Sequence, residues 1–114
     1  MSSEIESIPT EPIQLTDTDD LESAVSTYDA VLVDFHADWC GPCRMMEPTV
    51  EAIAAETDAA VVKVDVDRFQ GLATQYGIQG IPALLLFSEG ELAERLVGVQ
   101  QAESLKRTIS KYTE

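Results

Sequence analysis

VDFHADWCGPCRMMEP, residues 33–48, runs from an apolar stretch through both cysteines of the chain and into a segment with helical spacing. The run AVLVDFHA, residues 30–37, is almost continuously apolar and rich in β-branched side chains, which predicts a strand buried on both faces. Residues 41–57 read as a helix, with Pro42 in the first turn and Pro48 expected to kink it. Cys40 therefore falls at the mouth of a helix and Cys43 in its first turn.

That placement carries chemistry. The first N–H groups of a helix lack internal partners and bear partial positive charge, so a sulfur at Cys40 is favoured as thiolate, the attacking species in disulfide exchange. Cys43 is expected to face further inward, placed to attack a mixed disulfide formed at Cys40 and release the product. Two thiols at this spacing can close a ring with each other and cycle between dithiol and disulfide. Two other readings stay open. A structural zinc takes four ligands, and the chain offers two cysteines and one histidine, His36, so a metal would have to be shared between two chains. An inert disulfide is the third reading, although so short a loop removes little chain entropy.

Working outward, residues 12–16 suggest a short edge strand. Residues 17–26 suggest a helix capped by Thr16 or Asp17, with Leu21, Ala24 and Val25 on one face. AVVKVDV, 60–66, predicts a second buried strand. Residues 68–76 predict a short helix stopped by Gly77. ALLLFS, 83–88, predicts a third strand, turning at Glu89-Gly90 into a fourth over 91–98. A helix over 101–111, with Leu105, Thr108 and Ile109 facing inward, closes the chain. Strands alternating with helices imply an α/β domain with a parallel core sheet, to which the final hairpin adds an antiparallel edge. Residues 1–10 are polar and aperiodic and read as a flexible acidic extension ahead of a domain at 11–114.

The chain has 114 residues, 45% of them hydrophobic, which suits one domain with a real core. Its 21 acidic and 7 basic side chains give a net charge of −14, which argues against nucleic acid or an anionic membrane as partner. No run is long enough to suggest a membrane span, and the first residues lack the basic and apolar regions of a signal peptide. A cytoplasmic protein is expected, where a close cysteine pair is more often catalytic or metal-binding than a staple.

At this point VDFHADWCGPCRMMEP resembles the active-site segment of the thioredoxin family, and the element order resembles its fold, a central mixed sheet of about five strands flanked by about four helices. The resemblance continues through Lys63, GIQGIP at 77–82, Gly90 and Gly98. It implies a thiol–disulfide oxidoreductase that reduces protein disulfides, with Cys40 as nucleophile and Cys43 as resolving thiol. It also implies that Trp39, Gly41, Pro42, Ile81, Pro82 and Gly98 meet the substrate, with Pro82 in the cis form. Having no N–H, Pro82 cannot be an ordinary mid-strand residue, and a trans strand start is the alternative. A thioredoxin reductase would recharge the dithiol. No metal and no cofactor beyond the Cys40–Cys43 disulfide is implied, and a monomer is expected. His36 stands where the family usually has an aromatic, either tuning the thiolate or simply as a polar strand-end residue. Arg44 replaces the usual lysine and is expected to point outward.

Alternation along the strand puts Val31, Val33 and Phe35 on one face and Leu32, Asp34 and His36 on the other. Asp34 has no solvent of its own there. One reading pairs it with Lys63 in the neighbouring strand as a structural ion pair. The other makes it the group that takes the proton of Cys43 and returns it, its pKa raised by burial and lowered by Lys63. A binding module without redox turnover is the competing function, and an oxidase or isomerase a third. The acidic surface resembles that of proteins from salt-loving organisms.

Overall fold

The structure is a computed structural model that describes residues 7–113. Residues 1–6, most of the expected extension, lie outside the described residues, and 7–10 form neither helix nor strand. Five strands are present: β1 (Ile13–Gln14), β2 (Ala30–His36), β3 (Ala60–Asp65), β4 (Ala83–Ser88) and β5 (Glu91–Val97). The helices are α1 (Asp19–Thr27), α2 (Gly41–Met45), α3 (Glu47–Glu56), α4 (Gln70–Gln75) and α5 (Ala102–Thr113). One sheet holds the strands in the order β1-β3-β2-β4-β5.

β2 is the middle strand, and all its residues but His36 are buried. As alternation requires, Val31, Val33 and Phe35 join one core with Leu21 of α1 and Leu72 of α4. Leu32 joins the other, with Met46, Val50 and Ile53 beside α3 and Leu105 and Ile109 of α5. Both cores are apolar and continuous, so the sheet is a wall between two oily layers, and burying these side chains is the main drive to fold.

Three expectations change in detail. The helix expected over 41–57 is two segments, α2 and α3, that meet at Met46. Pro48 has no N–H and its ring crowds the carbonyl four residues back, so the ladder breaks just before it. The parallel part of the sheet is confined to β1, β3 and β2, because β4 runs antiparallel to β2. Helix α4, at about 1.5 Å per residue, is about half as long as a strand of equal residue count, so the chain re-enters the sheet from the end it left. The first helix begins later than expected, with Thr18 at the capping position and no side-chain cap there; Asp17 Oδ1 instead accepts from the Asp19 N–H at 2.9 Å. The turn at Glu89-Gly90 forms as expected, with φ of 51° and 86°, the two-residue geometry that suits the twist of a hairpin.

Candidate active site

The parallel pairing of β2 and β3, with His36 opposite Asp65, brings the segments after both strands side by side at one edge of the sheet. Cys40 caps α2 from the first of these, and its Sγ accepts from the Cys43 N–H at 3.2 Å. The two sulfurs are joined in a disulfide. Cys40 and Cys43 are 4% and 5% exposed, so the expected difference in depth between them is not found. They pack with Ala37, and Ile81 and Val66 lie against them. The hydrogen bond explains the small difference: closing the ring draws both sulfurs under the first turn of the same helix.

The Ile81–Pro82 peptide is cis, so the trans strand start is excluded. Pro82 is buried and its carbonyl accepts from the Gly98 N–H at 2.8 Å, which ties β4's approach to the end of β5. Gly98 has φ of 94°, a conformation that glycine adopts without the clash a side chain would bring. Gly41 and Pro42 are exposed beside the sulfurs, and Trp39 is 67% exposed. The Trp39 indole is held by one bond, Nε1–H to Asp67 Oδ2 at 2.9 Å. Asp67 was not singled out in the sequence. Its signal is the β2–β3 register, which no local pattern contains.

Beside Cys43 is a polar cavity of about 300 Å³ lined by Asp34, His36, Cys43, Arg44, Glu47 and Lys63, among others. Asp34 is 2% exposed and its Oδ1 has no hydrogen-bond partner. Burial pushes its pKa up from 3.8 to about 6, against the pull of Lys63 and with a small push from Glu47. Lys63 sits opposite Asp34 in the ladder, yet the two side chains form no ion pair. The structural pair is therefore replaced by an influence at a distance. Lys63 is only half-buried, and its ammonium gains more from water than from a carboxylate in the core. Arg44 is exposed, as expected, and hydrogen-bonds the Asp38 carbonyl. Among the described residues no three His, Cys, Asp or Glu side chains gather as a metal-binding group.

Two sulfurs that open and close within one helical turn can take two electrons from a dithiol and pass them to another disulfide. That capacity, set on this α/β sheet, defines a thiol–disulfide oxidoreductase. Comparison with known proteins narrows the class. The thioredoxin family model matches residues 12–111. A thioredoxin of Chlamydia muridarum is 41% identical over 101 residues, covering 88% of this chain and 98% of its own. The solved structure of a mutant thioredoxin from Halobacterium salinarum has a TM-score of 0.92 at 50% identity, covering 96% of each chain. A thioredoxin from Schistosoma mansoni has a TM-score of 0.82 at 33% identity, covering 90% of this chain and 96% of its own. The chain belongs to the thioredoxin family.

Proposed function

We propose that this oxidoreductase works in the reducing direction, with Asp34 managing the proton of the resolving thiol. In the dithiol form Cys40 attacks a substrate disulfide. A Cys40–substrate bond forms and the first substrate sulfur leaves as thiolate. Cys43 then loses its proton to the Asp34 carboxylate and attacks Cys40 Sγ. The Cys40–Cys43 bond forms, the Cys40–substrate bond breaks, and the second substrate thiolate leaves with the electron pair. A thioredoxin reductase restores the dithiol, and no cofactor beyond the pair itself is needed.

The observation that carries this reading is the cavity shared by Cys43 and a buried Asp34 whose Oδ1 is unpartnered. A pKa near 6 leaves the carboxylate ionised at neutral pH yet basic enough to take a proton. The space has room for water, which could bridge the two groups. Lys63 limits how far that pKa rises. Trp39, Gly41, Pro42, Ile81, Pro82 and Gly98 form the face for a protein substrate, with residues 11–114 as the working domain. A cytoplasmic monomer fits the charge and the lack, among the described residues, of any helix long and apolar enough to cross a membrane. The acidic composition, together with 50% identity to a solved mutant thioredoxin from Halobacterium salinarum, favours a salt-adapted protein. Single-turnover reduction of a disulfide-bridged peptide tests the proton role. Asp34→Asn is expected to slow the resolving step by about 10²-fold, within the range of general-base catalysis. Unchanged resolving kinetics would overturn the assignment.

A further inference from the structure

Asp34 shares the polar face of β2 with a second titratable group. His36, two residues on, is half-buried and lines the same cavity as Asp34 and Cys43. Its outer edge meets β1, where Gln14 Nε2 lies 3.4 Å from His36 Nε2. The same amide nitrogen donates to the Lys63 carbonyl at 3.3 Å. That bond fixes which end of the amide faces His36, because an amide oxygen placed there would oppose the carbonyl oxygen. An amide nitrogen has hydrogens and no lone pair to offer. His36 Nε2 must then be the acceptor, with the ring neutral and its proton on Nδ1.

We infer that His36 is a positioning residue for the resolving step: Gln14 holds its ring neutral, and protonation at Nε2 adds a cation to the cavity that Asp34 and Cys43 share. The inference rests on the reading of Asp34 as proton acceptor. Protonated Nε2 needs an acceptor, so Gln14 has to turn its amide oxygen inward and give up the Lys63 carbonyl. The groups around the ring pull in both directions. Burial and then Lys63 of β3 hold its pKa below 6.5, while Asp65 of β3, Asp38 after β2 and Glu47 of α3 raise it. Arg44 of α2 adds a cation to the cavity wall, and Asp34 an anion when ionised.

The new charge would stand about 7 Å along the strand from Asp34. At an effective dielectric of about 20, it lowers the proton affinity of that carboxyl by roughly one pH unit. His36 and Asp34 therefore titrate as a coupled pair in weak acid. In the molecules that carry the His36 proton, Asp34 stays ionised to lower pH and able to accept the proton of Cys43. The resolving step stays open at a lower pH than Asp34 alone would allow.

His36 is the only histidine of the chain, so a single imidazole Cε1–H resonance reports it on the whole protein. Its titration between pH 4.5 and 8 is expected to have a midpoint below 6.5 and a second inflection from Asp34. Asp34→Asn removes that inflection and lowers the midpoint by about one unit, since the carboxylate no longer favours the cation. Gln14→Leu raises the midpoint, because nothing then holds Nε2 as an acceptor. Stopped-flow single turnovers with a disulfide-bridged peptide supply the second readout. In His36→Gln the acid limb of the resolving rate moves up by about one pH unit. A resonance indifferent to Asp34→Asn overturns the inference. So do acid limbs that overlay in wild type and His36→Gln, and so does a fall in rate by the same factor at every pH. If His36→Gln does not fold, the resonance in wild type, Asp34→Asn and Gln14→Leu decides. A resolving rate unchanged by Asp34→Asn at pH 7–8 removes the base, and the inference with it. A rate that depends on Asp34, with overlaying limbs, removes the inference alone.

Discussion

The two faces of β2 are built from one strand and differ in a single principle. On one, Val31, Val33 and Phe35 pack into an apolar cluster with residues of α1, α4, the adjoining strands and the loops beside them. On the other, Leu32 begins the same way, but Asp34 and His36 follow and the apolar layer gives way to a polar cavity. The change falls where the strand approaches α2. The first face carries no ionisable group of β2 and contributes mainly to stability. The second accepts an ionisable group in the core, at a cost in stability, and sets a carboxylate in the cavity that Cys43 lines. The helices that follow the strand cover this face, and the side chains that alternate onto its last residues, Asp34 and His36, share a cavity with Cys43.

The largest effect expected from breaking this division is at the sulfurs. Cys40→Ser should abolish reduction of a protein disulfide by a small dithiol, while Cys43→Ser should stall as a mixed disulfide detectable by mass spectrometry. Full turnover by Cys40→Ser would reverse the order of attack. Next comes the apolar face. Phe35→Ala should cost about 3–5 kcal/mol in denaturant melts, from lost burial and the cavity left behind. In the part that stays folded, the pH dependence of exchange should be that of the wild type. A changed pH profile would mean that the faces are not separable.

Asp34→Asn, one residue away, should move stability in the opposite sense. Folded Asp34 in the disulfide form keeps its proton up to about pH 6, whereas the unfolded carboxyl releases it near 3.8. The native state binds the proton more tightly, so ionisation weakens the fold increasingly from about pH 4 to 6 and by a constant amount above. The difference corresponds to about 3 kcal/mol at 1.36 kcal/mol per pH unit. The variant should be more stable than wild type above pH 6 by up to that amount, with the gain disappearing toward pH 4. A loss of stability at pH 7–8 would instead favour a structural role for the carboxylate.

The smallest effect is expected from salt. The acidic side chains of the surface repel one another, and screening shortens the Debye length from about 10 Å at 0.1 M to about 3 Å at 1 M. The melting midpoint should rise by a few degrees in molar KCl, equally in wild type and Phe35→Ala, because the charges belong to neither face. A flat or falling midpoint would count against salt adaptation.

Much of this site was readable because its rules are local. The two-residue period of β2 sorted Asp34 from Val33 and Phe35 without knowledge of any neighbour. Pro42 and the thiol spacing placed Cys40 at a helix mouth, and Glu89-Gly90 marked the hairpin. The sequence also named Lys63 as the group facing Asp34, and the strand register agrees. It could not tell whether the ammonium would reach the carboxylate, since that turns on how deeply each side chain is buried.

The amino-acid order by itself determined the pair of thiols, the helix that starts on them, the alternation that buries Asp34 and the charge of the surface, because each follows from neighbours within a turn or a strand. Only the tertiary structure decided that β4 would run antiparallel to β2, that Trp39 would bond Asp67, that Lys63 would stand apart from Asp34, and that Gln14 would hold His36. These depend on contacts between residues 22 or more apart in the chain, and such contacts are set by how whole strands and helices pack, not by any short pattern that one stretch of sequence can carry.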